Sequence, residues 1–440
     1  MQVLPGLFCA YVLALNGYKP IVLEQGKSVE ERVKDVEEFI NNRKLNPNSN
    51  IQFGEGGAGT FSDGKLTTNI NSDYNRAVLN VFYKFGAPKE ILYLAKPHIG
   101  TDNLRKCIVN LRKEIINLGG EVFFNSKVID FKFDNFNDGS RKIESVLIEN
   151  GRCITTDNVV LAIGHSARDL FETLYKNDIT IEPKPFSVGV RIEHTQEFIN
   201  KAQYGTKTKL TLPPAEYKLV YHEENSRRSL YTFCMCPGGF VMASSSEDGT
   251  IVTNGMSYFE RSGENANSAL LVSVFPEDYM KDDNPLSGVY FQKTIEEKAF
   301  KIAGSNFNAP SQKLGNYILS DDKYRSYYDN YSHSTSSVNP TYKPDVTYCD
   351  LNQVFPDFVN KTLKDGIVYF DTKIKGFANP NCILTGPETR SSSPVTIVRD
   401  DKMNSNVVGL HPCGEGAGYA GGIMTSAIDG IRVAKSIIEM

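Results

Sequence analysis

No apolar run in this chain is long enough to cross a bilayer, which takes about 20 residues. No block of like charge is present either: 48 Lys plus Arg face 52 Asp plus Glu, for a net charge of -4. That balance points away from a nucleic-acid partner and from an anionic membrane surface. The eight cysteines are scattered, with one C-x-C and no C-x-x-C pair, which fits neither a disulfide framework nor a zinc site and suits reduced thiols in a cytoplasmic protein. No internal repeat is evident, so a solenoid is excluded. What remains is ordinary globular material, 40% hydrophobic and 23% charged over 440 residues, with length alone suggesting about three domains.

The start of the chain is the first positive signal. Residues 3–15 form a nearly continuous apolar run that looks like a signal-peptide core, yet no Lys or Arg precedes it and no small-residue cleavage site follows. Taken instead as a helix ending at Asn16-Gly17, it leads into Lys19-Pro20-Ile21-Val22-Leu23-Glu24, a short strand with an acid at its tip. In a dinucleotide fold such an acid accepts hydrogen bonds from the adenosine ribose; the alternative is a surface Glu after an ordinary strand. A strand and a Gly-x-Gly-x-x-Gly turn should precede that helix, and only Leu4-Pro5-Gly6 is present. The expectation is an N-terminally truncated chain or a cradle that has lost a part.

Two glycine clusters match the dinucleotide expression, and neither has its context. Gly416-x-Gly418-x-x-Gly421 lies in Gly414-Glu415-Gly416-Ala417-Gly418-Tyr419-Ala420-Gly421-Gly422-Ile423, followed by one helical pattern (Ile423, Ala427, Ile431, Ala434, Ile438) and no second strand. This loop closes a domain, bringing backbone N–H groups and a helix N-terminus against an anionic ligand. Gly54, Gly56 and Gly59 lie in Phe53-Gly54-Glu55-Gly56-Gly57-Ala58-Gly59-Thr60-Phe61-Ser62-Asp63-Gly64-Lys65-Leu66, after a polar stretch and before no apolar helix. Its small residues, hydroxyls and lysine suit a ligand loop, with Gly57 and Lys65 as contacts to phosphate or a flavin ring; an ordinary surface loop is the alternative.

Between the clusters, Thr101-Asp102 caps a helix striped by Leu104, Ile108, Leu111, Ile115 and Leu118. Strands follow at 121–124 and 127–133, then a hairpin turning at Asn150-Gly151, then a buried strand at 159–164 ending in Gly164. Helix, strand, antiparallel meander and strand ending in Gly is the order of the glutathione-reductase type of FAD domain. From about residue 181 alternating patterns predict a β-rich unit, with helix near 291–303 and a Tyr/Ser/Asn-rich loop or lid at 321–343.

The chain resembles the bacterial FAD-dependent dehydrogenase family of NAD(P)/FAD-dependent oxidoreductases, whose second region is called the FAD-dependent protein C-terminal domain. The glycine clusters carry the resemblance, together with Ala162-Ile163-Gly164-His165-Ser166-Ala167-Arg168-Asp169, Phe186-Ser187-Val188-Gly189-Val190-Arg191-Ile192-Glu193-His194, Phe233-Cys234-Met235-Cys236-Pro237-Gly238-Gly239, Thr253-Asn254-Gly255-Met256-Ser257 and Glu388-Thr389-Arg390-Ser391-Ser392-Ser393-Pro394. It implies an α/β fold: a Rossmann-like FAD domain from 1–180 and 382–440, interrupted by a β-rich α+β substrate or cap domain at 181–381. It also implies Gly6 as the last glycine of the pyrophosphate turn, Glu24 as the ribose acid, Val128 offering backbone to adenine and Glu415 holding the ribitol chain. Gly164, Gly414 and Gly416 go with the cofactor, and Gly421, Gly422 and Ile423 set N–H groups against the flavin.

The activity this implies is hydride transfer between a small organic substrate and the flavin. NAD(P)H is one candidate electron donor, though no second complete nucleotide-binding fingerprint is present. Flavin-dependent RNA modification and a binding-only protein are the alternatives. For catalysis, His411 and Cys413 precede the seat loop, while Arg191, Arg390 and Arg399 could bind an anionic substrate. Each has a plainer reading, as a packed strand residue, a buried filler or an ion-pair partner. Cys234-x-Cys236 on an alternating strand puts both thiols on one face, substrate-facing or buried.

Overall fold

Residues 4–15 carry no polar stripe because the helix they form is covered on both sides, the condition in which an all-round apolar helix is stable. The computed structural model describes residues 4–68, 70–206, 212–329 and 337–439. In it helix Leu4–Leu15 lies between the closing helix Ile423–Ile438 and helix Thr101–Asn117, with Leu7 and Phe8 wholly buried. Burial stabilises each such side chain by about 1.5–3 kcal/mol. Gly430 permits the close approach: a Cβ there would stand 2.1 Å from the Pro5 carbonyl oxygen. The hydroxyl of Thr101 donates to the Thr60 carbonyl instead of capping its helix, whose N-cap is Gly100.

Two parallel strand pairs stand beside these helices. Ile21–Leu23 pairs with Glu121–Phe123, and Val159–Leu161 pairs with Leu410–Pro412. Among the described residues no strand joins the two pairs. The antiparallel meander Val128–Asn135, Arg141–Ile148 and Cys153–Thr155 completes this unit, turning where Asn150-Gly151 predicts.

The second unit is a seven-stranded sheet in the order Val346–Tyr348, Ala309–Lys313, Ile383–Glu388, Phe186–Thr195, Asn265–Val274, Ser229–Cys236, Val220–His222. Ile383–Glu388, C-terminal to the expected boundary at 381/382, pairs into this sheet. The two central strands alternate sharply and both faces are buried. Val188, Val190 and Ile192 belong to an apolar core with Leu270 and Val272, closed by helix Asp357–Lys373, where Gly366 sits against Leu230 and Tyr221. On the polar face, Arg191 and Asn267 lie under the hairpin Phe240–Ala243/Thr253–Met256, and a Cβ on Gly255 would stand 2.2 Å from Arg191 Nη1. Of the predicted loop or lid, residues 330–336 lie outside the described residues. Thr341, beyond them, is fastened to buried Glu193 through its N–H and hydroxyl. The class expected from sequence is the class observed: a dinucleotide-type α/β unit interrupted by a β-rich α+β unit.

Candidate functional site

In sheets with parallel strands, ligands bind beyond the strands' carboxyl ends. Those ends are Glu24, Ser126, the 162–166 turn and the loop opening at Cys413. Gln25, Ser126, Lys127 and Val128 line one small pocket with Ala167, Asp169 and Leu170, so tips from both strand pairs meet there. Val128 thus stands at a concavity. Glu24 does not face open space: it is 1% exposed and its Oε1 accepts from the Gly26 and Gly54 N–H groups at 2.8 and 3.0 Å. Through Oε1 it braces the strand tip to the Gly54 loop. Gly6 lies in the first turn of helix Leu4–Leu15.

The closing glycine run divides by function. A Cβ on Gly414 would stand 2.4 Å from Pro5 Cγ, one on Gly416 would stand 2.4 Å from the Gly164 carbonyl oxygen, and one on Gly418 would stand 2.8 Å from Thr396 Oγ1. Those three glycines let the loop pack on its own protein. Gly421 and Gly422 are exposed, and a Cβ on either meets nothing within 4 Å. No side chain caps the N-terminus of helix Ile423–Ile438, which begins there. The Gly421 N–H donates to Thr425 Oγ1 at 3.1 Å, which leaves the Gly422 N–H at the positive helix end for an anion or carbonyl.

The close approach of Gly416 to Gly164 brings the next residues together. His165 Nδ1 lies 3.4 Å from Glu415 Oε1. His165 is buried, and its Nε2 has no hydrogen-bond partner among the described residues. A buried polar atom without a partner is costly, about 1–3 kcal/mol, and asks for a ligand. Lys184 completes the group: its Nζ donates to the Gly418 carbonyl at 2.9 Å, and burial lowers its pKa against the opposing pull of Glu415. Sequence reasoning placed Gly164 and Glu415 here and missed His165. The available signal was its position one residue past a strand that ends in glycine.

The loop at residues 54–66 does something else. Arg32, wholly buried, donates to the carbonyls of Asn50, Ile51, Glu55 and Gly57 and stacks at 4.7 Å over Phe61. Gly57 also donates its N–H to the Gly54 carbonyl, so the protein occupies both of its backbone groups. Glu55 caps helix Val29–Asn42 by accepting from the Val29 N–H, and burial raises its carboxyl to about 7 although Arg112 opposes that. Lys65 donates to the Met235 carbonyl, and Asp63 takes Arg261 at 2.9 Å. At Gly57 and Lys65, the expected ligand contacts, the backbone and ammonium bond to the protein: this cluster wraps an internal arginine and clamps the two units.

The catalytic candidates turn inward as well. His411 is fully buried, with Nδ1 3.1 Å from the Met403 carbonyl and Nε2 3.0 Å from Asn158 Oδ1, and burial lowers its pKa. Cys413 packs with Cys9 and Leu13, and burial, reinforced by Asp429, raises its thiol well above the ordinary value. Arg191 pairs with Glu388 and also donates to Asn267, Asn254 and the Cys234 carbonyl. Arg390 pairs with Glu296, and Arg399 with Asp429. These are structural partners, and none presents an unsatisfied group to a substrate.

Cys234 and Cys236 also part company. A register shift between Phe233 and Cys236, with Cys234 at φ 41°, re-aims one side chain, as β-bulges do. Cys234 is exposed and Cys236 buried, so the two thiols do not share a face. Cys234 is exposed, and desolvation raises its thiol to about 11 although nearby Lys65 opposes this. A small maleimide should label Cys153 and Cys234 in the native protein. Cys9, Cys107, Cys236, Cys382 and Cys413 should react only after denaturation. Peptide mass spectrometry that finds Cys236 labelled before Cys234 would contradict this orientation.

Residues 185–391 match the family described as "FAD-dependent protein, C-terminal domain-like". A Clostridium beijerinckii protein named only "Uncharacterized protein" is 49% identical over 436 residues, spanning 99% of this chain and 79% of its own length. Among solved structures, CtdE in complex with FAD is 12% identical and covers 99% of this chain and 82% of that one, with a TM-score of 0.37. A putative FAD-containing monooxygenase from Photorhabdus luminescens is 12% identical over 98% of this chain and 84% of that one, also at 0.37. Both structural overlaps are too loose to carry an argument.

Proposed function

This chain belongs to the family of FAD-dependent oxidoreductases, with FAD as cofactor, and on that premise we propose that it oxidises or reduces a small organic substrate held between its two units. The observation that carries the reading is the sterically open Gly422 backbone at the start of helix Ile423–Ile438, in the same loop as Glu415, which meets His165 with its unpartnered Nε2. Both fit a large ligand with a polar, partly anionic edge. Gly422 and Ile423 hold that ligand through backbone N–H groups, which stabilise negative charge arising on it, while the Gly421 N–H is held by Thr425 Oγ1. Glu415 and His165 supply further polar groups, and Val128 bounds a pocket at the other strand pair. When bound, the flavin supplies the ring that takes up hydride. Exposed Cys234 on the second unit, next to the point where Lys65 of the Gly54–Leu66 loop reaches Met235, marks the proposed substrate side.

No helix among the described residues is long and apolar enough to cross a membrane. All eight cysteines are free, which suits the reducing, cytoplasmic setting we propose.

The test is the visible absorbance spectrum of the purified protein, then anaerobic titration with NADH, NADPH and candidate metabolites. A flavin spectrum bleached by one class of donor is the expected result. Protein that neither carries nor takes up flavin overturns the reading.

A further inference from the structure

The buried imidazole of His165 has one nitrogen at Glu415 and the other, Nε2, with no protein partner. It is 9% exposed, so water does not freely make up the deficit. The nearest charged groups decide what the missing partner is. Glu415 Oε1 stands 3.4 Å from Nδ1, so in the neutral ring Nδ1 carries the proton toward the carboxylate and Nε2 is left as an acceptor. A phosphate oxygen or a flavin-ring carbonyl only accepts and leaves that nitrogen unmet. A hydroxyl donates, and so supplies what Nε2 lacks.

We propose that His165 is a cofactor-binding residue whose Nε2 hydrogen-bonds a sugar-type hydroxyl of the bound flavin nucleotide, with Glu415 orienting the ring. The inference rests on the FAD reading above. Two stretches of FAD carry such hydroxyls, the ribityl chain and the adenosine ribose. Gly164, against which Gly416 packs, anchors the His165 turn to the glycine run that ends at the open Gly421 and Gly422. Lys184, whose charge is felt by Glu415, donates to the Gly418 carbonyl.

Apo-protein titrated with FAD and with riboflavin, followed by quenching of flavin fluorescence, tests this directly. His165→Ala should weaken FAD about 10-fold, the value of one neutral hydrogen bond of about 1.4 kcal/mol. His165→Gln, whose amide also donates and accepts, should recover part of the loss. Unfolding of both apo-variants at the wild-type midpoint shows that the loss is not one of folding. An equal loss with riboflavin assigns the hydroxyl to the ribityl chain, and a loss confined to FAD assigns it to the ribose. FAD binding by His165→Ala at wild-type affinity overturns the proposal and leaves the FAD reading standing. Wild-type protein that binds neither ligand overturns the FAD reading itself.

Discussion

Glu296→Ala is expected to destabilise the protein by about 3–5 kcal/mol, the cost of leaving buried charge uncompensated. Glu296 is wholly buried on helix Ser287–Ile302 and serves both units at once. Its oxygens accept from Arg168, at the start of a helix in the first unit, at 2.8 Å, and from Arg390 at 2.8 and 3.0 Å; Thr389 adds a hydroxyl at 2.6 Å. Removing the carboxylate strands two guanidiniums away from water, and only half-buried Glu247 remains near them. Burial by itself would raise the Glu296 carboxyl. The two arginines outweigh it and bring the pKa from 4.5 to about 2. A depressed carboxyl contributes stability that is complete above the unfolded value and lost as pH falls through the folded one. The wild type should therefore weaken between pH 4.5 and 2 in a way Glu296→Gln does not. Urea denaturation at pH 7 and along that acid range reads both effects. A Glu296→Gln midpoint within about 1 kcal/mol of wild type at pH 7 would sink the idea that this carboxylate holds the units together.

Gly422→Leu should abolish flavin retention, lowering affinity about 100-fold or more, while leaving the apo-protein folded. Gly422 has φ 175°, extended backbone that any residue adopts, and a Cβ there meets nothing within 4 Å. The fold therefore has no steric objection, and an exposed change of this kind costs within about 0.5 kcal/mol. The ligand does object, because backbone N–H groups bind only what can reach them and a leucine stands in that approach. Gly414→Ala and Gly416→Ala make the opposite case, since their added Cβ atoms fall 2.4 Å from Pro5 and from the Gly164 carbonyl. Those variants should lose stability before they lose flavin. Absorbance of the purified variants, together with their thermal unfolding, separates the two outcomes. Gly422→Leu purifying with wild-type flavin content would remove the 421–423 backbone from the site.

The sequence was readable where the information is local. The apolar periods at 423–438 and 104–118 name their helices, and Asn150-Gly151 names its hairpin. The strand-end logic also placed Glu415 and the open glycines in one loop. Where reading failed, the deciding partner lies far along the chain. Arg191 finds Glu388 at a separation of 197 residues, and His411 finds Asn158 at 253. An arginine available for substrate and one sealed in an ion pair look the same in sequence. Alternation at Phe186–Thr195 suggests one wet face, yet the polar side is buried because Asn267, Glu388 and the 240–256 hairpin neutralise and cover it. Two glycine clusters looked equally ligand-like, and one is wound around Arg32.

By itself the sequence determined the class of fold, the order of elements and the loops that stand at the ends of parallel strands, because periodicity, glycine and turn chemistry act within a few residues. Only the tertiary structure decided which polar groups are spent inside the protein, as at Arg191 and His411, and which, as at His165 Nε2, find no protein partner among the described residues. The physical reason is that hydrogen-bond satisfaction is a property of the folded neighbourhood: a buried donor or acceptor is structural or functional according to what the chain brings to it from afar.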